Sequence, residues 1–431
     1  MPVPEALKVW PRRSQWVVHR IPRVSLCAVL ALCACGGGAG GPSAEEILFP
    51  LTVPTDIVAT DIDGDGRADV VTLALYSRSS TEREGRLSVY RQSASGTFAA
   101  PDLYVVGTYP WHFAVADVDG DGAVDLTVTD PDAHSVWLVR QDLGNRGHFL
   151  AAQKIASGVY PYGAAVGDFN DDGAPDVAIS DGSTASARVV MLYQDPVQRG
   201  QFAAPVDFPM PGSVSDVVAG DLNGDGRADL AAWVYTSGGG TSPPVGTLAV
   251  TLQQPSGNFG AVTLLGSVTG LNVARLAIAD YEGDGANDLL VYFTPYSSDY
   301  RAALGVARQS ALPGTFSNIV TTPLDGVSGL DDAVFADLNG NARPDAAVAG
   351  FFPVGSPSRI YARLNLFTQS GGGAFAPTTV HDMPSAVSRI AAGDINGDGR
   401  LDLVTMASDQ CLVMLQSATA PGTFADPKPL R

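Results

Sequence analysis

Short apolar runs rich in Val, Ile, Leu, Ala and Thr, bounded by Gly, Asp, Asn, Ser or Pro, recur from about residue 45 to the C-terminus. Ile57 to Thr60, Val70 to Leu75, Leu87 to Tyr90 and Leu103 to Val106 form one such set, and the set then repeats. Runs of this length and composition, punctuated by turn formers, predict β-strands. A sheet of four short strands cannot bury both of its faces alone, so each unit needs a neighbour on either side.

Between the first and second strand of every set lies an acidic loop with carboxylates or amides at its positions 1, 3, 5 and 9. The loops begin at Asp61, Asp117, Asp168, Asp221, Asp280, Asp337 and Asp394. The first reads DIDGDGRAD (Asp61, Asp63, Asp65, Asp69) and the second offers Asp117, Asp119, Asp121 and Asp125. The third has Asp168, Asn170, Asp172 and Asp176, the fourth Asp221, Asn223, Asp225 and Asp229, and the fifth Asp280, Glu282, Asp284 and Asp288. The sixth, DLNGNARPD, offers Asp337, Asn339, Asn341 and Asp345, and the seventh Asp394, Asn396, Asp398 and Asp402.

Alternate side chains of a tight turn can converge on one centre, and Ca²⁺ takes six to eight hard oxygen ligands. Calcium is therefore the expected occupant of six to seven sites, with the seventh-position carbonyls of Arg67, Ala123, Ala174, Arg227, Ala286, Arg343 and Arg400 as further ligands. An EF-hand also begins D-x-D/N-x-D/N-G but needs a glutamate at position 12. Here that position is Thr72, Val128, Ile179, Ala232, Val291, Val348 or Thr405, so the aspartate at position 9 is expected to close the site instead. Loop six is the weakest: Asn341 replaces a carboxylate, and Ala342 stands where every other loop has Gly.

The loops start 56, 51, 53, 59, 57 and 57 residues apart, the length of a propeller blade. A second marker, Gly-x-Phe, follows each loop, at Gly96/Phe98, Gly147/Phe149, Gly200/Phe202, Gly257/Phe259, Gly314/Phe316, Gly373/Phe375 and Gly422/Phe424. Seven four-stranded units packed radially predict an all-β fold, a seven-bladed β-propeller with a calcium-binding loop in each blade. On these loops and the strands that follow them, the chain from about residue 45 to 431 resembles the FG-GAP/VCBS repeat family, which includes integrin α heads and bacterial surface proteins. The resemblance implies that each loop joins the innermost strand of a blade to the second, on the lower face. It leaves activity open, because such propellers host adhesion, glycan binding and polysaccharide lysis alike.

Charge fits the metal reading. The net charge is -19, and 24 of the 45 acidic residues fall within the seven loops. Seven divalent cations would bring it to about -5, so the acidity serves sites rather than recruiting basic partners. Lysine occurs only at Lys8, Lys154 and Lys428, and no basic patch interrupts the repeats, which argues against nucleic-acid binding.

The N-terminal segment differs in kind. Arg12, Arg13, Arg20 and Arg23 precede the apolar stretch Val24 to Leu32, the layout of an export signal too short to span a membrane. Leu32-Cys33-Ala34-Cys35-Gly36 looks like a bacterial lipobox. It implies residues 1–35 as a signal ending at a lipidated Cys35, residues 36–44 as a tether, and a lipoprotein of the cell envelope, at the outer membrane. Plain secretion with cleavage near Ala39 is the alternative. Of the four cysteines only Cys411 lies in the repeats, so no internal disulfide is expected and calcium takes the stapling role. Ile47 to Val53 aligns with Leu103 to Tyr109, an outer strand, and is expected to complete the last blade so that no sheet edge is left open.

Ligand is expected on the face opposite the loops, where Tyr109, Trp111, His112, His134, Tyr160 and Tyr162 gather around blades two and three. Exposed aromatic faces suit sugar rings or a protein hot spot, although packing within the repeat also explains them. Tyr76 to Arg86, Tyr235 to Gly246, Thr294 to Arg301 and Gly350 to Arg359 vary in length between blades, as recognition loops do. Two classes of function follow. One is a non-enzymatic, monomeric, lipid-anchored calcium propeller that binds a protein or glycan. The other is a polysaccharide lyase using His112 or His134 with Tyr160.

Overall fold

The computed structural model describes residues 51–430 apart from 80–81, 184–186, 240–241, 298–300, 325–329, 355–358, 370–373, 385–386 and 408–409. The export segment, Cys35, the tether and Gly373 lie outside the described residues. Blade one comprises β1 (Leu51–Thr60), β2 (Asp69–Ser77), β3 (Arg83–Tyr90) and β4 (Asp102–Val105), and blade two β5 (His112–Ala116), β6 (Asp125–Asp130), β7 (Ser135–Val139) and β8 (Gln153–Ser157). Blade three comprises β9 (Pro161–Gly167), β10 (Asp176–Asp181), β11 (Arg188–Leu192) and β12 (Val206–Pro209). Blade four holds β13 (Ser213–Gly220), β14 (Asp229–Gly239), β15 (Ser242–Thr251) and β16 (Thr263–Leu264), with β17 (Val268–Thr269) also on β15. Blade five holds β18 (Leu271–Ala279), β19 (Asp288–Pro295), β20 (Ala303–Ala307) and β21 (Val320–Pro323). Blade six holds β22 (Leu330–Ala336), β23 (Asp345–Val354), β24 (Arg359–Gln369) and β25 (Phe375–Asp382), and blade seven β26 (Val387–Gly393), β27 (Asp402–Ala407), β28 (Gln410–Met414) and β29 (Lys428–Pro429). Each sheet is antiparallel and ordered as the chain runs, so the described residues form the seven blades of a β-propeller.

The second strand of a blade is buried on both faces, as β6, β10 and β27 are throughout, because a neighbouring blade covers each side. The apolar clusters accordingly bridge blades: Val71, Leu73 and Leu87 pack with Phe113, Leu126 and Val128 across the first interface. Ile57, Ala59 and Val70 pack with Ala391, Val404, Met406 and Cys411 where blade one meets blade seven.

That closure corrects one expectation. The outer place beside β28 is taken by the C-terminal β29, with Leu412 opposite Pro429 and Val413 opposite Lys428, while Val53 belongs to β1, opposite Leu75. Among the described residues every blade is thus contiguous in sequence, and blade one meets blade seven through side-chain packing and hydrogen bonds; Ile47 to Pro50 lie outside the described residues. The approach is close at the seam: a Cβ on Gly393 would lie 2.7 Å from that of Ala59.

The variable segments between strands two and three are largely continuations of the ladder. Tyr76 pairs with Glu84, Tyr235 with Gly246 and Val354 with Arg359, so the longer excursions in blades one, four and six extend hairpins. The chemistry of loop six also shows in its backbone. Ala342 adopts φ 61°, the conformation its glycine counterparts take at φ 83–88° in loops one to five. A side chain in this region costs roughly 1 kcal/mol. Ala342→Gly is therefore expected to raise unfolding free energy by about 1 kcal/mol in chemical denaturation.

Candidate functional site

Each acidic loop is a set of nested turns built by its own carboxylates. In loop one, Asp61 accepts the backbone N–H groups of Gly64, Asp65 and Gly66 at 2.8–3.1 Å, Asp63 accepts that of Asp65 at 3.1 Å, and Asp65 that of Arg67 at 2.9 Å. Loop six repeats the pattern with Asp337 and Asn341, so the turn survives the loss of a carboxylate.

The ninth-position aspartate does more than the sequence suggests. One of its oxygens accepts the N–H of loop position 2 at 2.8–3.1 Å in all seven blades. The other accepts the N–H of a buried glutamine at 2.7–2.9 Å, from Gln92, Gln141, Gln194, Gln253, Gln309, Gln369 and Gln416. Each glutamine pairs with the phenylalanine of its Gly-x-Phe marker. In most blades its amide also donates to a backbone carbonyl in the preceding blade's loop: Gln141 to Ile62 at 2.8 Å, Gln194 to Val118 at 2.8 Å, Gln416 to Leu338 at 2.9 Å, and Gln92 to Ile395 across the ring closure. Gln309 differs, donating to Asn287 in its own blade while Asn287 reaches back to Asp221. The two sequence markers are therefore partners across blade boundaries. A Gln in phase with every Gly-x-Phe is the sequence signal for this lock, and it shows no function until the blades are brought together.

Burial and the neighbouring carboxylates push Asp125, Asp229, Asp345 and Asp402 up to about 6 and Asp176 up to about 7, against the N–H bonds that favour ionisation. A divalent cation would supply the positive charge these carboxylates lack. Among the described residues, loops one and two bring three acidic side chains together, Asp61 with Asp63 and Asp65, and Asp117 with Asp119 and Asp125; within each group the ligand atoms lie within 4.8 Å of one another. Asp119 is 5% exposed, and its Oδ1 has no hydrogen-bond partner. An orphaned buried carboxylate oxygen in an all-oxygen donor set fits a hard divalent cation. Loops three to seven, with an amide or a longer glutamate at position 3, do not form such a group in the structure.

At the opposite end of the inner strands, the residues five places before each loop form a ring around the channel: Asp56, His112, Gly163, Asp216, Arg275, Asp332 and Arg389. Arg275 spans it, with Nη2 2.9 Å from Asp332 and 3.5 Å from Asp56 on the far side. His112 Nδ1 is 2.5 Å from Asp56, and Arg389 reaches the Thr55 carbonyl across the seam. Burial would raise the pKa of Asp56, but His112, Arg275 and Arg389 outweigh it and hold the carboxyl well below the usual range. Asp216 makes no direct ion pair among the described residues. Burial pushes its pKa up against the pull of His112 and Arg275. Gly163 makes room for it, because a Cβ there would lie 2.4 Å from Asp216 Oδ1.

Above this ring is a mouth of about 80 Å³, lined by Trp111, His112, Tyr162, Ser215, Asp216 and Arg389 among others. Below it is a chamber of about 220 Å³ walled by Ala164, Ala165, Val217 and Leu276. The mouth is far smaller than the roughly 300–1,000 Å³ that engulfs a drug-sized ligand, so a larger partner would lie across it.

Four of the six expected patch residues form a continuous arc on the rim. The Trp111 and Tyr162 ring centroids are 6.1 Å apart, those of Tyr162 and Tyr160 5.6 Å, and those of Tyr160 and His134 4.9 Å. His112 instead points into the channel, and Tyr109 joins through its backbone. The connectors that carry the arc are fixed by two buried aspartates at the ends of second strands. Asp130 accepts the N–H groups of Thr108 at 2.6 Å and Tyr109 at 3.2 Å, and Asp181 that of Tyr160 at 3.3 Å. The corresponding residues of the other blades are Ala74, Val234, Phe293, Gly350 and Ala407. Aspartate there accompanies the aromatic connectors and nothing else in the ring.

Four stretches, 61–128, 117–179, 170–232 and 354–405, match the model of the FG-GAP-like repeat and together take in just over half of the chain. Over 214 residues the chain is 26% identical to integrin alpha-PS2 of Drosophila melanogaster, a match that includes 42% of this chain and 15% of that protein's length. Among solved structures it is similar to the Dos1 propeller, with 12% identity and a TM-score of 0.47 over 83% of this chain and 76% of the other. It is also similar to a protein from Lactobacillus plantarum, with 12% identity and a TM-score of 0.45 over 82% and 93% of the two chains. By its repeated acidic loops, its seven sheets and the match of the repeat model to over half of its length, the chain belongs to the FG-GAP-like repeat family.

Proposed function

We propose that this protein is a non-enzymatic, calcium-stabilised binding module, lipid-anchored at Cys35 to a bacterial cell envelope as a monomer, whose blade two and three rim engages a protein or glycan. The observation that carries the reading is the pairing of the aromatic arc with Asp130 and Asp181. Burying a carboxylate is costly unless its hydrogen bonds are made. Asp130 accepts the N–H groups of Thr108 and Tyr109 with one oxygen and that of Ala133 with the other, and Asp181 accepts the N–H of Tyr160 beside its bonds to Ser183 and Arg188. Both thus tie the connectors that lead into Trp111 and Tyr162 to their own blades. A rigid aromatic surface loses little entropy on binding, which is what an anchor patch needs. The orphaned oxygen of Asp119 supports calcium in the loops, and the lipobox-like segment supports the anchor. Against a lyase, His112 is committed to Asp56 and the mouth is too small to enclose a saccharide chain.

The test uses the soluble domain from Gly41 on a glycan array and on fractionated envelope extracts, with and without chelator. Trp111→Ala is expected to weaken retention by about 2 kcal/mol, as loss of an aromatic anchor does, with melting in calcium unchanged. Retention untouched by Trp111→Ala would remove the rim from the reading. Release of unsaturated products from uronic-acid polysaccharides by the wild-type protein would replace it with the lyase.

A further inference from the structure

The seven loops differ in what their fifth-position carboxylate meets. In loops one, four and seven the residue at position 7 is arginine, and its guanidinium folds back onto that carboxylate. Arg67 pairs with Asp65, Arg227 Nη1 lies 2.9 Å from Asp225, and Arg400 Nη2 lies 2.9 Å from Asp398. Loops two, three and five have Ala123, Ala174 and Ala286 at the same place, and among the described residues Asp121, Asp172 and Asp284 are in no ion pair. Loop six keeps the arginine, Arg343, but its fifth residue is Asn341. There the guanidinium lies against loop five instead, its Nε 3.4 Å from where a Cβ on Gly283 would sit.

The arginine contacts in loops four and seven are incomplete. Arg227 and Arg400 each leave a buried Nε without a hydrogen bond, that of Arg227 lying 3.8 Å from Asp171 of loop three. The bond to the carboxylate is made through Oδ2, while Oδ1 stays bound to the backbone N–H of position 7, so the arginine can leave without undoing the turn. In loop two the situation is reversed. Asp119 Oδ1 is buried and unpartnered, and Arg140 approaches the other oxygen only to 3.6 Å.

We propose that the position-7 arginines of loops one, four and seven are resident counter-cations that compete with calcium for the fifth-position carboxylate, so that the propeller holds two grades of metal site. This rests on the calcium reading above. When metal binds at one of these loops, Oδ2 is given up by the guanidinium, and that exchange lowers the net gain from binding. When metal leaves, the arginine returns and the loop keeps its charge balance. Loop two has no substitute for the cation, binds it more tightly, and depends on it more.

The pairs are largely solvated, so giving one up is expected to change calcium affinity only roughly twofold to fivefold. The decisive experiment is calcium titration calorimetry on the chelator-stripped soluble domain, paired with melting in chelator and in calcium. The proteins compared are the wild type, the Arg67→Ala/Arg227→Ala/Arg400→Ala variant, and Arg146→Ala. Arg146 donates to the Gly122 carbonyl rather than to a loop carboxylate, so it controls for general loss of positive charge near the loops.

Two classes of site are expected in the wild type, with the triple variant tightening the weaker class about twofold to fivefold per site. The same variant should melt lower than wild type in chelator and no lower in calcium, a change of sign that a merely structural arginine would not give. Arg146→Ala should shift neither. Calcium binding by wild type with the same affinities in the triple variant would overturn the arginine proposal and leave the metal reading intact. No calcium binding by any of the proteins would overturn the metal reading itself.

Discussion

Stripping calcium from the soluble propeller is expected to lower its melting temperature by about 10 °C or more. A site of micromolar affinity, saturated a hundredfold, adds about 2.7 kcal/mol to the folded state, and several such sites act on one cooperative ring. The sign follows from loops one and two, where three carboxylates gather close enough to repel by about 1 to 4 kcal/mol per pair when no cation intervenes. The loss should be concentrated where the donor set is most complete. Asp119→Ala, which removes a buried ligand from loop two, should reduce melting in calcium more than Asn341→Ala, which touches a loop with only Asp337 and Asp345 as carboxylates. Differential scanning calorimetry in calcium and in chelator measures both. Identical melting in the two buffers would mean the turns stand on their own Asx hydrogen bonds.

The second large effect is expected at the axis. Asp56 and Asp332 are 4% and 2% exposed, and Arg275 is the cation shared between them. Removing one partner of a buried pair leaves an uncompensated charge, which costs about 3 to 5 kcal/mol. Arg275→Ala should therefore destabilise by about 3 kcal/mol, the lower end because Asp56 retains His112. Arg275→Met combined with Asp332→Leu should recover most of that loss, since an apolar replacement of the whole pair carries no stranded charge. Urea denaturation of the two variants distinguishes an ion pair that sets the channel from one that is incidental. If the single and double variants lost the same amount, packing of the arginine stem would be the cause.

Much of the architecture was legible in the chain because a propeller writes itself periodically. The acidic loops, the strands that follow them and the Gly-x-Phe markers share one beat, and each falls where the structure places it, from Asp69 opening β2 to Phe424 opposite Gln416. What escaped was contact between repeats. The glutamines keep the same beat but look like ordinary polar residues at strand ends, and only the fold shows Gln92 crossing from blade one to Ile395 of blade seven. The axial ring escaped for the opposite reason. Its members occupy one repeat position yet differ in type, Asp, His, Gly and Arg, so no motif announces them, and their chemistry exists only once seven strands converge. Ring closure is hard to read because Ile47 to Val53 resembles an outer strand, whereas the described part of that segment, from Leu51, belongs to β1, with Val53 opposite Leu75. The rim was found in part. Trp111, Tyr160, Tyr162 and His134 are legible in the sequence as a patch, but Asp130 and Asp181, which hold its connectors, are not, since an aspartate ending a β-strand is ordinary without its partners.

The measurement that bears most directly on the calcium propeller is anomalous diffraction from crystals grown in calcium chloride, collected where calcium scatters anomalously. Peaks are predicted inside the acidic loops, strongest in loop two between Asp117, Asp119 and Asp125 and weakest or missing in loop six beside Asn341. A map with no peak in any loop, at millimolar calcium and with the turns formed, would contradict it.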